Sequence, residues 1–391
     1  MILKQICHDN GVITVYDDIY HGRDYLSAVE QGDIELDDMV LMLSIDSVQL
    51  YAKKQSDCWI YIWIILDHVP ASRYIKKLVV PGTFILGPNK PKNADSFLYP
   101  SLHHLATLQK EGLKIWDVQE DWIFTLYPFS TADGPGMTYL NGLIGHQSAF
   151  SCRLYCPIKG RHKPGTNHYY PALLCPNNYS VQGCDHNDVD PYHILLMSVD
   201  EYTQNLAYVI ASPNDTQYKT CHKETAISKP SIFSGLPGNC MLGIPGCFPA
   251  DLMNLVSLNL TDLFLSLWCG TLECEGPDSR ATGDWSVLQG EIWKAHGKQV
   301  ADVTPYLPGL FDRPPRNPAE KISSGYKAWE YLIYVFALGP GVFLGVLLDK
   351  YWMHFCMLVA AIRKAHTLLV QFVEEFETLY YQCKVTHLHF C

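Results

Sequence analysis

Apolar residues come in two rhythms along the first third of the chain. Met39 to Tyr51 (MVLMLSIDSVQLY) is a near-continuous apolar run and predicts a buried strand with Asp46 inside it. Ala52 to Ser56 (AKKQS) is a polar turn, and Cys58 to Leu66 (CWIYIWIIL), aromatic and β-branched, predicts a second strand. Leu78 to Leu86, interrupted by Pro81 and Gly82, predicts a third strand at a sheet edge. Three strands joined by short turns predict an antiparallel meander. After GPNKPKN the rhythm changes. Leu98, Leu102, Leu105 and Leu108 keep helical spacing, so a helix is expected from about Asp95 to Lys114. Trp122 to Phe129 predicts a fourth strand, which runs into Ser130–Gly136 (STADGPG), a turn that ends it and can open a helix.

Beyond residue 150 the pattern weakens. Residues 150–320 are rich in Pro, Gly, Asn and Cys, with one clear helical stretch near Asp251 to Trp268. After LFDRPPRNPAEK a strongly helical region is expected from Tyr326 to about Tyr381. The order βββαβα, a long insertion, then helices gives an α/β class with the strand order of a ribonuclease-H-like sheet, split before its last catalytic helix. The expected segments are an acidic 1–38, the first part of the core at 39–149, the insertion at 150–320 and the helical end of the core at 321–391. Tyr331 to Leu348 holds 18 residues without a charge, near the minimum for a membrane span. Gly339-Pro340-Gly341 in its middle predicts two buried helical pieces instead, joined at that tripeptide, and no membrane partner.

Composition bounds the function. With 48% hydrophobic and 18% charged residues over 391, the chain can build a sizeable core and is not disordered. Its net charge of -11 argues against a generic nucleic-acid coat. The charge is uneven, however: residues 1–46 hold ten acids and two bases, whereas 50–115 hold nine Lys/Arg and four acids. Fourteen cysteines in a chain of this length are not a disulfide framework, and the N-terminus lacks an apolar run before its acids. A reducing compartment follows.

Three carboxylates stand out. Asp46 interrupts an apolar strand, and a charge there is costly unless it is paired or binds a metal. Asp133 ends a strand beside glycines that allow close approach of a ligand. Glu330 opens an apolar helix. From strand centre, strand end and helix start, the three could converge on a pair of Mg²⁺ or Mn²⁺ ions, which suit hard oxygen ligands and phosphodiester chemistry. Each also has a plain reading: an Asp in a turn, or a helix N-terminal acid set against the dipole.

Longer strings carry a resemblance: LSIDSVQLYAKKQSDCWIYIWIILDHVP, PGTFILGPNKPKNADSFLYPSLHHLATLQKEGLKIWD, TADGPGMTYLNGLIGH, CRLYCPIKGRHKPG, HYYPALL, PYLPGLFDRPPRNPAEKISSGYKAWEYL and DKYW. Together they resemble the transposases of CACTA (En/Spm-like) DNA transposons of fungal type, from about Asp18 to Cys391. The resemblance implies a nuclear DDE-type transposase with a ribonuclease-H-like core that cuts transposon ends and joins them to target DNA with divalent metal. It places the three acids on Asp46, Asp133 and Glu330; were Glu330 far from the other two, another acid such as Asp251 or Glu320 would have to be considered. It draws attention to Cys152 and Cys156, a C-x3-C pair that with His146, His162 or His168 would suit a structural Zn²⁺. Lys53, Lys54, Lys90, Lys92, Arg153, Lys159, Arg161 and Lys163 fall in loops near the expected site and could meet DNA phosphates. DNA is the expected partner, with a homo-oligomer in view. Members of the family are usually longer, so the chain looks like a core piece. A non-catalytic DNA-binding remnant is the second reading.

Overall fold

The computed structural model describes residues 18–35, 38–51, 57–87, 91–116, 121–145, 148–162, 169–170, 172–175, 188–194, 197–249, 251, 253–272, 283–307 and 314–365. They form a mixed α/β structure in two compact units, divided after residue 251.

The first unit is built on a four-stranded sheet. Strands β1 (Met39–Gln49), β2 (Asp57–Ile65) and β3 (Val80–Gly87) form the expected antiparallel meander, with β3 at the edge. Helix α1 (Arg23–Glu30) precedes them, and α2 (Asp95–Glu111) follows. The region expected to be one fourth strand is divided. Strands β4 (Leu113–Trp116) and β5 (Asp121–Phe124) pair as a separate hairpin, whereas β6 (Leu126–Ala132) joins the main sheet. The order is β3-β2-β1-β6, and β6 runs parallel to β1. The parallel step needs a crossover, which α2 supplies.

Strand alternation sends successive side chains to opposite faces. Leu41, Leu43 and Ile45 of β1, with Leu126 and Ala132 of β6, pack against Leu98, Leu102 and Leu105 of α2. Full burial of each of these leucines contributes about 1.5–3 kcal/mol. Val40 of β1, with Tyr127 and Phe129 of β6, lies on the opposite face with Tyr20, Tyr25 and Ala28. That second layer is pinned by a buried ion pair, Arg73 Nη2 to Asp18 Oδ2 at 2.9 Å. Asp67 anchors it further, accepting from Tyr20 Oη and from the Val40 N–H, both at 2.9 Å.

The stretch expected to be one insertion is shared between the units. Helices α4 (Val199–Ile210) and α5 (Asp215–Thr225) bury Tyr202, Val209 and Cys221 in the same core cluster as β1 and α2. Helix α3 (Gly134–Asn141), which precedes them in the chain, ends at Gly142. Gly142 has φ +69, and a Cβ there would lie 2.2 Å from the Lys229 carbonyl. The Ser130 N–H donates to the Cys247 carbonyl at 3.0 Å, tying β6 to the end of this segment.

The second unit is helical. A π-helical stretch, Met253–Leu260, leads into α6 (Thr261–Trp268). Helix α7 (Gly290–Val303) follows, then a helical run from Ala328 to Val342, and α8 (Asp349–Ala365). Trp268, Tyr334, Phe343 and Phe355 meet in its core. Gly339-Pro340-Gly341 does not separate two helices here. Leu332–Leu338 is π-helical, and Gly339–Val342 continues the run as a last α turn. Pro340 has no N–H to give to the preceding turn. Arg363 supplies donors there instead, to the carbonyls of Phe336 at 2.9 Å and Ala337 at 2.7 Å. The chain turns at 343–348, after the tripeptide. Among the described residues no helix is long and apolar enough to cross a membrane. The expected helix beyond residue 365 lies outside the described residues.

Candidate functional site: two carboxylates at the end of a parallel strand pair

Register brings two of the three acids together. In the parallel pair, Val40 faces Tyr127, Met42 faces Phe129, Ser44 faces Thr131 and Ile45 faces Ala132. The next residues are Asp46 on β1 and Asp133 after β6. Asp133 keeps an extended backbone, φ -61° and ψ 169°, so the alternation carries through it. Both carboxylates therefore leave the sheet on the face of Val40 and Tyr127, on neighbouring strands about 4.8 Å apart.

The reason expected for Asp46 does not hold. The sequence places it inside an apolar strand, but its side chain is exposed. Leu43 and Ile45 point to the α2 face, and Val48 is itself 41% exposed. Asp46 thus needs no partner to offset burial. Its Oδ1 accepts from the neighbouring Ser47 N–H at 2.7 Å.

Asp133 is the N-cap of α3, and its Oδ1 accepts from the Gly136 N–H at 2.7 Å. The fit is tight: a Cβ on Gly136 would lie 2.6 Å from that oxygen. Gly134-Pro135-Gly136 therefore does two things. Pro135 fits the first turn, where its missing N–H costs nothing, and Gly136 lets the backbone close on the carboxylate. The turn reading and the functional reading of Asp133 are compatible, because capping occupies one oxygen.

Glu330 is in a different setting. It belongs to the second unit and is buried. Its Oε1 accepts from Arg316 Nε at 2.7 Å and from the Arg316 N–H at 3.3 Å. Its Oε2 accepts from Arg316 Nη2 at 2.9 Å and from the Lys327 N–H at 3.0 Å. Burial alone would raise its pKa, but these bonds outweigh it and hold the carboxyl below the usual range. Both oxygens are already engaged by a fork of donors, which is a structural arrangement in its own right. Of the alternatives for the third acid, Glu320 is exposed and accepts from Asn317 Nδ2 at 3.0 Å, and Asp251 lies in the first unit.

Cys152 and Cys156 come together on one turn, closed by the Tyr155 N–H to the Cys152 carbonyl at 3.2 Å. Both cysteines are free and half-buried. Of the candidate histidines, His162 lies against Tyr169 with the rings tilted and their centres 4.7 Å apart, and His146 and His168 lie outside the described residues. Among the described residues no three His, Cys, Asp or Glu side chains assemble into a metal-holding group.

The basic residues divide. Lys53, Lys54, Lys90 and Lys163 lie outside the described residues. Lys92 and Lys159 are exposed and Arg153 is half-buried. Arg161 is committed within the protein. It donates to the carbonyls of Ala172 at 2.8 Å and Leu173 at 2.9 Å, and pairs with Asp188 at 2.9 Å. The same Asp188 oxygen accepts from the Cys175 N–H at 2.6 Å. Its guanidinium clamps this loop, which sequence spacing alone did not reveal.

No protein-family model matches the chain, and no curated protein matches it.

Proposed function

We propose that the chain is the catalytic core of a DDE-type transposase of the CACTA kind, with a ribonuclease-H-like sheet that positions acids for metal-dependent cleavage and joining of DNA in the nucleus. The observation that carries the proposal is the register of Asp46 and Asp133. A meander followed by a helical crossover to a strand parallel with β1 matches the strand order that the resemblance implies. It also sets the first two acids of the resemblance on one face of neighbouring strands. Asp46, exposed, and Asp133, with one oxygen used in capping, fit a hard divalent cation such as Mg²⁺ or Mn²⁺. Such an ion, when bound, activates a water or a 3′-hydroxyl and stabilises the leaving oxygen. The chain's own part is to hold the two carboxylates at fixed separation, one on a paired strand and one on a capped helix.

The engagement of Glu330 by Arg316 favours a second reading, a transposase-derived DNA-binding remnant without catalysis. The two are separated by strand nicking of transposon-end duplex in Mg²⁺ or Mn²⁺, wild type against Asp46→Ala. The catalytic reading expects metal-dependent nicks that the variant loses. Equal nicking in both removes Asp46 from the mechanism. DNA binding without cleavage under either metal favours the remnant. The Zn²⁺ role for Cys152 and Cys156 and a homo-oligomeric assembly on DNA remain part of the resemblance and are tested by metal analysis and by the mass of the DNA complex.

A further inference from the structure

We propose that the cleft lined by helix α1, the start of β6 and the 238–249 segment binds a small organic ammonium ion with an apolar body. The proposal does not depend on the transposase reading.

The cleft lies within the first unit. Two cavities adjoin there and share Asp24, Val199, Leu242 and Gly246 in their walls. The smaller, about 370 Å³, is polar. Asp24, Ser27, Gln31 and Asp33 reach it from α1 and the turn that follows, and Tyr127 from β6. Among the described residues that line it, the charged groups are the two carboxylates, so the cavity favours a cation. The larger, about 700 Å³, is walled mainly by apolar side chains, including Tyr25, Phe129, Leu154, Met197 and Phe248. Arg23 also borders it, but its side chain is 92% exposed and its guanidinium stands 3.8 Å from the Asp24 carboxylate. Arg23 therefore offsets Asp24 in part, and the half-buried Asp33 is the carboxylate assigned to the ligand. Cavities of this size are those of small-molecule sites.

Tyr127 is the independent mark of a ligand. Its side chain is 1% exposed, and its hydroxyl has no hydrogen-bond partner among the described residues. Buried hydroxyls are nearly always paired, so this one calls for a group from outside the chain. Burial raises its pKa and keeps it protonated, hence a neutral acceptor. A primary ammonium carries three donors and no acceptor. It can donate to the Asp33 carboxylate, Tyr127 Oη and Ser27 Oγ, whereas a carboxylate ligand would meet Asp33 with like charge. The apolar body then extends past Leu242 into the larger cavity, against Phe129 and Phe248. Asp24 and Gln31 are exposed, so the mouth opens to solvent. The site is separate from the acid pair: Tyr127 and Asp133 stand six residues apart on extended chain, roughly 20 Å.

Isothermal titration of the full chain tests the proposal with three probes. Tryptamine carries an indole on a primary ammonium, indole-3-acetate carries the same ring on a carboxylate, and methylammonium is the head alone. Tryptamine should bind one per chain, and both others at least about tenfold more weakly. Asp33→Asn should weaken tryptamine about tenfold without weakening indole-3-acetate. Tyr127→Phe should weaken tryptamine several-fold while the melting temperature stays level or rises, because the hydroxyl removed has no partner in the protein. The proposal is overturned if tryptamine does not bind, if indole-3-acetate matches it, or if neither substitution weakens it. It also fails if Tyr127→Phe melts lower and binds tryptamine as the wild type does, since the hydroxyl would then hold only a structural water.

Discussion

Asp133 holds two roles that substitution can separate. Its Oδ1 caps α3 through the 2.7 Å bond to the Gly136 N–H, while the charge of the carboxylate is what a metal would need. Asn caps as well as Asp, so Asp133→Asn should change stability by only a few tenths of a kcal/mol. Asp133→Ala removes the cap and should cost about 1 kcal/mol, a fall of roughly 2–4 °C in the melting temperature of a unit of this size. Gly136→Ala reaches the same bond from the other side. Its Cβ would stand 2.6 Å from Oδ1, where ordinary contact begins near 3.4 Å, so the carboxylate must move by about 0.8 Å. The φ of Gly136 is not positive, so Ala fits the backbone and the loss is that of the cap, again about 1 kcal/mol. Urea melts of the four proteins, with metal-dependent nicking measured in parallel, check the scheme. The expected pattern is Asn stable but inactive, Ala destabilised and inactive, and Gly136→Ala destabilised with reduced activity. Asn as costly as Ala would refute the capping argument. Asn with full activity would refute the charge argument.

Other consequences concern stability. Burial depresses His296, whose Nε2 lies 2.8 Å from Tyr334 Oη, from 6.5 to about 4. The unfolded chain then binds the extra proton first, so stability is full above pH 6.5 and is lost as pH falls toward 4. Between pH 7.5 and 4.5 the wild type should lose roughly 2–3 kcal/mol more than His296→Gln in denaturant melts, and equal losses would contradict the burial of the neutral ring. Arg73→Met strands the buried Asp18 carboxylate and should cost about 3–5 kcal/mol, checked by urea denaturation, with Asp18→Asn/Arg73→Met recovering part of it. Glu330 is depressed, so its contribution is present above its ordinary pKa of 4.5 and fades as pH falls below it. Glu330→Gln should therefore melt lower than wild type at pH 7 and converge with it in acid, and a constant difference would count against the Arg316 pairing.

How far the sequence reveals this molecule depends on the range of the forces involved. The meander and α2 are set by local alternation and by Leu spacing, and both emerge close to the expected residues. The division of Trp122–Phe129 is invisible locally, because β5 and β6 are equally apolar. Only pairing with β4 on one side and β1 on the other separates them. Helices α4 and α5 had readable starts: Ser198 and Glu201 form a capping box, and Asn214 caps the next helix. Their polar faces obscured those signals. Asp46 and Asp133 were legible as acids at a strand centre and a strand end, but the burial argument for Asp46 was not sound. Alternation turns its apolar neighbours away and leaves the carboxylate exposed. Glu330 was legible as an acid at a helix start, whereas its partner Arg316 lies 14 residues earlier and only the fold brings them together.

The central claim is that Asp46 and Asp133 hold one divalent ion between them. Mn²⁺ titration followed by electron paramagnetic resonance, on wild type, Asp46→Asn, Asp133→Asn and the doubly substituted protein, tests it most directly. The account predicts a bound Mn²⁺ in the wild type that either single substitution weakens by at least about tenfold, with the double no worse than additive loss at one shared site. Unchanged Mn²⁺ affinity in both single variants would contradict it.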